Sequence, residues 1–200
     1  MNAPQAHAPK LGERFDGGHY TGRILVDRNP YALICAPAAV GLHVPAVWNK
    51  SLRAVEGARS FCDGFANTEA MAAAGSAIAK WARSLRIDGR DDWYLPSRDE
   101  LEMLYRAFKP STQKNWCWRG DNPSSIPVGY AYTPTDPAQT ALEEFRTGGP
   151  EAFAEELHWS STQYAGNAAY AWAQYFGDGN QTYCHKGSKF PARAVRRSAI

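Results

Sequence analysis

The sequence lacks any run of about eighteen apolar residues, the length that a helix needs to cross a bilayer. Its first stretch, MNAPQAHAPKLGERF, also lacks the apolar centre of a secretory signal, so we expect synthesis in a cytoplasm. Neither sign of charge is in excess, because 22 Lys and Arg against 20 Asp and Glu give a net charge of +2. The basic residues form no stripe with interleaved aromatics. We therefore predict neither membrane insertion nor nucleic-acid binding.

Cysteine is scarce, and its spacing does not suggest a metal site. The four cysteines are Cys35, Cys62, Cys117 and Cys184. They include no CxxC pair, and no histidine lies near them in ligand register. In a reducing compartment we expect free, buried thiols, and a disulfide is the alternative. No cluster of oxygen ligands for calcium is visible either. The sequence therefore predicts no metal and no cofactor.

Aromatic and chain-turning residues, in contrast, are abundant: seven Trp and ten Tyr stand beside thirteen Pro and seventeen Gly. This mixture favours an irregular, loop-rich fold. Two hundred residues suffice for one domain with its own core. Residues 1–16 carry proline, alanine and charge without periodicity. We predict an N-terminal arm over residues 1–16 and a single folded domain over residues 17–200.

Hydrophobic patterns predict the elements of the first half. Residues 20–26 and 31–36 are two apolar runs separated by turn residues, which predicts a β-hairpin. Apolar residues spaced at three and four predict one helix over about 51–61 and a second over about 68–85. We interpret the apolar stripe of the second helix as a core face, with a partner-binding face as the alternative.

The segment DDWYLPSRDELEMLYRAF predicts a short buried strand at 93–95, a proline stop and a capped helix. Ser97 is the expected N-cap, and Glu100 three residues later completes a capping box. Glu102 can pair with Arg106 one turn further on. The segment also holds four carboxylates: Asp91, Asp92, Asp99 and Glu100. We interpret them as structural rather than as a general-acid pair, because no base or nucleophile accompanies them.

A long connection follows from about residue 109 to residue 150. Its many prolines predict mostly loop, and loops of this length are commonly functional or held at an interface. Its Arg-Gly-Asp triplet at 119–121 is interpreted as a chance match. Short helical turns are expected at 140–145 and 150–156.

The C-terminal region has the period of two that is typical of strands. Residues 169–176 place Tyr170, Trp172, Gln174 and Phe176 on one face, and Ala169, Ala171, Ala173 and Tyr175 on the other. An Asp-Gly turn and further strands at 181–186 and 192–197 predict a meander of three antiparallel strands. We assign Trp93, Trp159, Trp172 and Phe176 to the core, and the alanines to a tightly packed face.

Four segments carry a resemblance to a known family: DDWYLPSRDELEMLY, HWSSTQY, AWAQYFGDG and ARAVRR. In this order they resemble the C-terminal domain of bacterial collagen-like adhesins, long catalogued as a domain of unknown function and common in phage genomes. That domain is similar to the C-type-lectin-like fold of phage tropism determinants and formylglycine-generating enzymes. The resemblance covers about residues 20–197. It implies an α+β, C-type-lectin-like fold with an N-terminal β-hairpin, two to three helices, a C-terminal antiparallel sheet and long loops.

The resemblance implies surface binding and does not imply a particular chemistry. Formylglycine-generating enzymes use a cysteine pair near the C-terminus, where this chain has Cys184 alone. Calcium-dependent lectins carry Glu-Pro-Asn or Gln-Pro-Asp and a Trp-Asn-Asp triplet, and the sequence has neither. We therefore predict that the protein is not an enzyme and has no catalytic residues. A formylglycine-generating-type oxidase is retained as the third hypothesis.

The leading hypothesis is a virion protein of a tailed phage, made in the host cytoplasm, that acts as a tail-associated module for attachment or for receptor or glycan recognition. Its expected partners are other virion proteins, through the arm and loops, a host-surface glycan or protein, and further copies of itself in a homo-oligomer. The second hypothesis is a purely structural virion component, such as a decoration, baseplate or fibre-anchoring protein.

Recognition is expected on the C-terminal sheet and its loops. Rings can cover the C–H face of a sugar or an apolar patch of protein, and amides can donate and accept hydrogen bonds together. The alternative is that aromatics alternating on strands belong to the core. The predicted ligand-binding residues are Tyr164, Asn167, Tyr170, Gln174, Asp178, Asn180, Gln181 and Tyr183.

Overall fold

A computed structural model describes residues 9–118 and 120–200 of the chain. Residues 1–8 of the predicted arm and the arginine of the Arg-Gly-Asp triplet lie outside the described residues. The strands are β1 (Arg14–Phe15), β2 (Gly18–Val26), β3 (Asn29–Cys35), β4 (Leu42–Val47), β5 (Ser125–Ile126), β6 (Leu157–Gln163), β7 (Tyr170–Tyr175), β8 (Gln181–His185), β9 (Lys189–Arg193) and β10 (Val195–Ala199). The helices are α1 (Ala38–Gly41), α2 (Gly64–Ala73), α3 (Ala77–Ser84) and α4 (Arg98–Phe108), and a 3-10 turn spans Glu143–Phe145. The predicted α+β class is confirmed.

The N-terminal hairpin is confirmed as β2 and β3, which pair antiparallel from the turn back to His19 and Cys35. Its turn residues Asp27 and Arg28 both have positive φ, 48° and 66°, as the tight two-residue hairpin turn requires. The sheet has the order β1-β2-β3-β10, and β5 also pairs with β2. Strand β1 lies within the segment that we assigned to the arm, so the sheet begins before residue 17.

The predicted C-terminal meander is wrong in its third strand. β7 and β8 pair as predicted, but the third member of their sheet is β6. The segment 192–197 instead divides between β9, which pairs with β4, and β10, which pairs with β3. A buried Arg193 stands at this division, where its Nε donates to the carbonyl oxygen of Ala36 at 2.6 Å. Alternation identifies a strand, whereas the partner of that strand depends on distant contacts of this kind.

The helix predicted over residues 51–61 is not formed. The segment is irregular because its amide groups have partners elsewhere: Val55 N–H donates to Gln163 Oε1 at 2.7 Å, and Ser51 N–H donates to Asn49 Oδ1 at 2.9 Å. Gly57 also has a φ of +85°, which is outside the helical region. Leu52, one of the apolar residues whose spacing predicted this helix, is 43% exposed.

The helix predicted over residues 68–85 is two helices, α2 and α3. Gly75 separates them with a φ of +87°. The adjacent Ser76 hydroxyl donates to the carbonyl oxygen of Trp48 at 2.5 Å, which ties the break to a buried residue of another segment. The core interpretation of the apolar stripe is confirmed for Met71 and Ile78, which are fully buried, whereas Trp81 and Leu85 are partly buried and Ala74, next to the break, is exposed. Ala79 and Ala82 complete the buried face of α3.

The capped helix is confirmed as α4. Ser97 Oγ accepts the Glu100 N–H at 3.3 Å, and Glu100 Oε2 accepts the Ser97 N–H at 2.7 Å. Glu102 and Arg106 form the expected ion pair at 2.9 Å. The segment 93–95 is buried as predicted, but it forms only a single bridge, between Tyr94 and Val195, and not a strand.

The core of the described residues has three parts, and the smallest of them gathers Trp93 with Ile34 and Ala194. The first lies between the N-terminal sheet and α4, where Phe108 stacks on Phe145 with ring centroids 3.9 Å apart. The second lies behind the C-terminal sheet and contains the tightly packed Ala171 and Ala173 beside Trp159. The four aromatic residues assigned to the core are all buried: Trp93, Trp159, Trp172 and Phe176.

The long connection between α4 and β6 is mostly loop, as predicted, and α4 holds it in place. The buried Lys109 donates from Nζ to Gln113 O at 2.6 Å, Asn115 Oδ1 at 2.7 Å and Pro137 O at 3.2 Å. The expected helical turn at 140–145 is present as the 3-10 turn at Glu143–Phe145, whereas residues 150–156 form no helix. The connection therefore has a defined path despite its lack of regular structure.

None of the described helices has the length and apolar character of a membrane span. Within residues 9–118 and 120–200, no cluster of three or more metal-ligating side chains occurs. All four cysteines are free, as predicted, but only Cys35 is fully buried, and Cys117 is exposed.

Candidate functional site

Strand pairing decides which C-terminal side chains share a surface. Directly opposite residues on β7 and β8 lie on the same side of the sheet, and the side alternates along each strand. One side carries the pairs Tyr170–His185, Trp172–Tyr183 and Gln174–Gln181. The other side carries Ala171–Cys184 and Ala173–Thr182, and its alanines pack into the core. The outer side thus collects Tyr170 and Trp172 of β7 with Tyr183 and His185 of β8, whereas Tyr175 lies on the other side at the end of β7.

Their rings form a connected cluster with rings from neighbouring segments. We call this surface the aromatic face and define it by Phe61, Tyr164, Tyr170, Trp172, Tyr183 and His185.

The centre of the aromatic face is a stacked pair above a buried indole. Tyr164 and Tyr183 have ring centroids 4.0 Å apart and planes 8° from parallel. Both meet the Trp172 ring edge-on, at 5.7 and 5.8 Å. Trp172 is only 6% exposed, whereas Tyr183 is 46% exposed. The indole therefore supports the tyrosines, and the tyrosines present their rings to solvent.

Phe61 and Arg98 border the aromatic face on the side of α4. Phe61 is 41% exposed and meets the Trp172 ring edge-on at 6.3 Å. The Arg98 guanidinium lies 3.9 Å from the centre of the Phe61 ring, a cation–π contact, and 5.5 Å from that of Trp172. Sequence reasoning missed both residues. Phe61 lies at the end of the helix that is not formed, and nothing in the spacing places Arg98 beside a sheet more than sixty residues away.

The loop from β6 to β7 holds Tyr164 in position. A Cβ atom on Gly166 would lie 2.8 Å from the Tyr164 ring, so only glycine allows the ring to lie there. The exposed Asn167 accepts the Ala169 N–H at its Oδ1 at 2.9 Å and the Tyr170 N–H at its carbonyl oxygen at 3.1 Å. Asn167 thus shapes this loop at the edge of the aromatic face.

Gln174, predicted as a ligand-binding residue, is fully buried, and this prediction is corrected. Its Nε2 donates to Gly179 O at 3.2 Å and to the Tyr132 hydroxyl at 3.4 Å. The partly buried Gln181 donates from Nε2 to Arg98 O at 2.9 Å and to Gln174 Oε1 at 3.2 Å. The two amides therefore attach the sheet to α4 and the long loop rather than facing a ligand.

Asp178 and Asn180 lie in the β7–β8 turn, at the end of the sheet opposite the β6–β7 loop. Asp178 Oδ1 accepts the Asn180 N–H at 2.9 Å, and Asp178 O accepts the Trp116 N–H at 2.8 Å. This turn supports the long loop. The predicted residues therefore divide into two groups, and only Tyr164, Asn167, Tyr170 and Tyr183 belong to or border the aromatic face.

Glu100 and Lys186, two ionisable residues near the sheet, are buried and have structural partners. Glu100 accepts hydrogen bonds from Ser97 N at 2.7 Å, Gly64 N at 3.2 Å and the Tyr94 hydroxyl at 2.7 Å. Burial raises its pKa to about 7. Behind β8, burial lowers the pKa of Lys186 to about 8, and its Nζ donates to Gln163 Oε1 at 2.7 Å. The half-buried Cys184 lies on the inner side of the sheet, and burial raises the pKa of its thiol.

The aromatic face is thus a partly exposed surface of aromatic rings with little charge. The Arg98 guanidinium and the Asn167 amide lie at its borders. Such a surface can stack against sugar rings or apolar side chains, and it can supply hydrogen bonds at its edge.

Comparison with known proteins identifies a family. The Lcl C-terminal domain matches residues 44–196, which is more than three quarters of the chain, and this is the family that the four sequence segments resemble. No curated protein matches the sequence.

Proposed function

Because the chain belongs to the Lcl C-terminal domain family, we propose that it is a non-enzymatic recognition module of a tailed-phage virion that binds a host-surface glycan through the aromatic face. The family supports a lectin-like domain in general. The observation that carries the proposal is the stack of Tyr164 on Tyr183, whose ring is 46% exposed above a buried Trp172.

The chemistry of the aromatic face suits a sugar. A pyranose has an apolar C–H face that packs on an exposed ring, and its hydroxyls lie around the edge. At the border of the aromatic face, Asn167 carries an exposed amide that can meet these hydroxyls. The Arg98 guanidinium lies over Phe61, but its Nε and Nη2 already donate to Asp99 Oδ1, at 3.0 and 2.9 Å. Tyr and Asn are also the residues that adaptable binding surfaces favour.

A glycan-binding screen and a host-cell binding assay test this proposal, using wild type, Tyr170→Ala and Tyr183→Ala. We expect both variants to lose binding. The matched control is Trp118→Ala, which removes a 76% exposed ring outside the aromatic face. If all four proteins bind the host surface equally, the aromatic face is not the recognition surface.

The second candidate function is a purely structural virion component. The long loop favours it, because Trp116, Trp118 and Val128 are 54%, 76% and 67% exposed and large apolar side chains of this kind are enriched at protein interfaces. Binding to a purified tail or capsid protein that Trp118→Ala abolishes and Tyr183→Ala preserves, together with no glycan binding, would favour this role over recognition.

An oxidase of the formylglycine-generating type would depend on Cys184. We expect Cys184→Ala to retain host-surface binding in full. A thiol oxidase activity in wild type that disappears in this variant would replace the proposed function with an enzymatic one.

A further inference from the structure

A cleft with a volume of about 290 Å³ opens between β2, α4 and the loop that follows β5. None of the residues that line it belongs to the aromatic face. We call it the β2–α4 cleft and define it by Thr21, Arg23, Met103, Arg106, Ala107 and Tyr130.

The floor of the β2–α4 cleft is apolar. Met103 and Ala107 of α4 are 6% and 7% exposed, so each keeps a small surface that a ligand can reach. Gly22 of β2 lines the cleft beside them, and a Cβ atom on Gly22 would lie 3.2 Å from Met103 Cε. A glycine at this position therefore leaves space over the methionine. Apolar surface of this kind gains free energy when a hydrocarbon covers it.

The rim of the cleft is apolar as well. Leu11, Val128 and Tyr130 all line it, and they are 48%, 67% and 53% exposed. Single exposed apolar residues are common on protein surfaces, whereas several around one concave site indicate binding.

The hydroxyl groups of the cleft already have partners. Ser125 Oγ, which also lines it, donates to Pro127 O at 2.9 Å, and Thr21 Oγ1 donates to His19 O at 3.3 Å. The Tyr130 hydroxyl donates to an aspartate of the long loop at 2.7 Å. A neutral polar ligand would therefore find no free donor among these three hydroxyls, and the cleft favours apolar contact.

Among the described residues, the charged groups that line the cleft are both guanidiniums. Arg106 is paired with Glu102 at 2.9 Å, and its buried Nη1 has no hydrogen-bond partner within residues 9–118 and 120–200. Arg23 is exposed, and in the same part of the chain its side chain has neither an ion pair nor a hydrogen bond. Arg23 therefore gives the cleft a positive charge that no carboxylate balances.

We propose that the β2–α4 cleft binds a small amphipathic carboxylate, with its hydrocarbon chain on Met103 and Ala107 and its carboxylate at Arg23. A guanidinium matches the two oxygens of a carboxylate, so the free charge favours an anion over a neutral apolar molecule. The volume of about 290 Å³ equals that of about ten water molecules at ~30 Å³ each, which suits a chain of about eight carbons. The proposal is independent of the glycan proposed for the aromatic face, since the two sites share no residue.

A titration with octanoate at pH 7, where its carboxylate is ionised, tests the proposal. Met103 lies on the floor of the cleft, whereas Met71 is buried in a different part of the core, so the two methyl groups serve as probe and internal control. In protein labelled with ¹³C at the methionine methyls, we expect the Met103 signal to shift saturably with a Kd of about 1 mM. The Met71 signal should not move. No saturable shift of the Met103 signal would overturn the proposal.

Arg23→Gln tests the role of the charge. We expect it to weaken octanoate binding at least about threefold and to leave octanol binding unchanged, because octanol has no carboxylate to meet the guanidinium. The matched control is Arg53→Gln, which removes an exposed arginine outside the cleft and should bind both molecules like wild type. Unchanged octanoate binding in Arg23→Gln, or an equal loss of octanoate and octanol, would contradict the carboxylate specificity.

A second pair of variants tests the place of the hydrocarbon chain. Ala107→Met fills the floor and should weaken octanoate and octanol alike, whereas Ala73→Met, at an exposed position of α2, should weaken neither. Octanoate binding that Ala107→Met leaves intact would show that the chain lies elsewhere.

Other occupants of the cleft would give different results. Octanoate binding that appears only after deletion of residues 1–8 would show that this segment fills the cleft. A Met103 shift that follows protein concentration without octanoate would show that a second copy covers it. Either result would replace the proposal. Tyr183→Ala should bind octanoate like wild type while it loses the glycan, so the two proposals fail separately.

Discussion

Tyr164 and Tyr183 lie face to face with ring centroids 4.0 Å apart, so a residue of the β6–β7 loop stacks on the middle of β8, across β7. Tyr183 is the more exposed of the two, and the nearly buried Trp172 supports it from below. Tyr170 meets the Tyr183 ring edge-on at 6.0 Å, so the ring that a ligand would meet already contacts three others.

Replacing Tyr183 with alanine removes the exposed half of this stack. We expect at least about a tenfold loss in affinity for the glycan found in the screen, because one stacked ring contributes about 1.5 kcal/mol. Tyr183→Phe retains the ring and should bind within about threefold of wild type. Isothermal titration measures both, and an unchanged affinity of Tyr183→Ala would contradict the role of the stack.

Replacing Gln174 with alanine has a different expected result, although Gln174 lies on the same side of β7 as Tyr170. The buried Gly179 carbonyl and Tyr132 hydroxyl lose a donor, so the free energy of unfolding should fall by about 1–3 kcal/mol. Urea unfolding monitors the change, and the exposed Gln113→Ala is the control with an expected effect within about 0.5 kcal/mol. Full stability of Gln174→Ala would mean that these hydrogen bonds contribute nothing net.

Lys109 is the residue on which the long loop depends most directly. Lys109→Met leaves three oxygen acceptors, from Gln113, Asn115 and Pro137, without their shared donor. We expect the free energy of unfolding to fall by about 2–4 kcal/mol and limited proteolysis to cut within residues 111–139. Lys80→Met, at an exposed position of α3, should leave both measurements unchanged. Resistance of the Lys109 variant to cleavage would show that the loop is held by other contacts.

Glu100 and His158 have opposite effects on stability between about pH 4.5 and 6.5. Burial raises the pKa of Glu100 from 4.5 to about 7, so the folded state binds more protons than the unfolded state and the free energy of unfolding falls as pH rises through this window. Burial lowers the pKa of His158 from 6.5 to about 4, so here the unfolded state binds more protons and stability rises with pH.

In the wild type, the contributions of Glu100 and His158 to the change of the free energy of unfolding with pH therefore partly cancel. Glu100→Gln removes the decrease in stability with pH that Glu100 causes. We therefore expect the free energy of unfolding of this variant to rise more steeply with pH than that of wild type. The difference between the two slopes should be at most about 1.4 kcal/mol per pH unit. Urea unfolding at half-unit steps from pH 4.5 to 7 measures the difference. The exposed Glu56→Gln should follow the wild-type curve. Parallel curves for Glu100→Gln and wild type would show that Glu100 has an ordinary pKa.

Local patterns predicted well those features whose partners are close in the chain. The capping box of α4 needs only Ser97 and Glu100, three residues apart, and the hairpin turn needs only Asp27 and Arg28 between two apolar runs. The family was also identified from short ordered segments, and it covers residues 44–196.

Predictions failed where distant groups decide the backbone conformation. The apolar spacing of residues 51–61 resembles a helix, but Gln163 of β6 accepts the Val55 N–H and thereby competes with helical hydrogen bonding. The last strands could be recognised by alternation, but their partners β4 and β3 belong to the other end of the chain.

The sequence by itself determined the period of two in β7 and β8, and with it the sharing of one side of the sheet by Tyr170, Trp172 and Gln174. Only the tertiary structure decided which part of that side is open. α4 and the long loop cover Gln174 and Gln181, whereas Tyr164, Tyr183 and Phe61 surround Trp172 and leave their own rings exposed. The physical reason is that alternation follows from the geometry of one strand, whereas exposure depends on every segment packed against it.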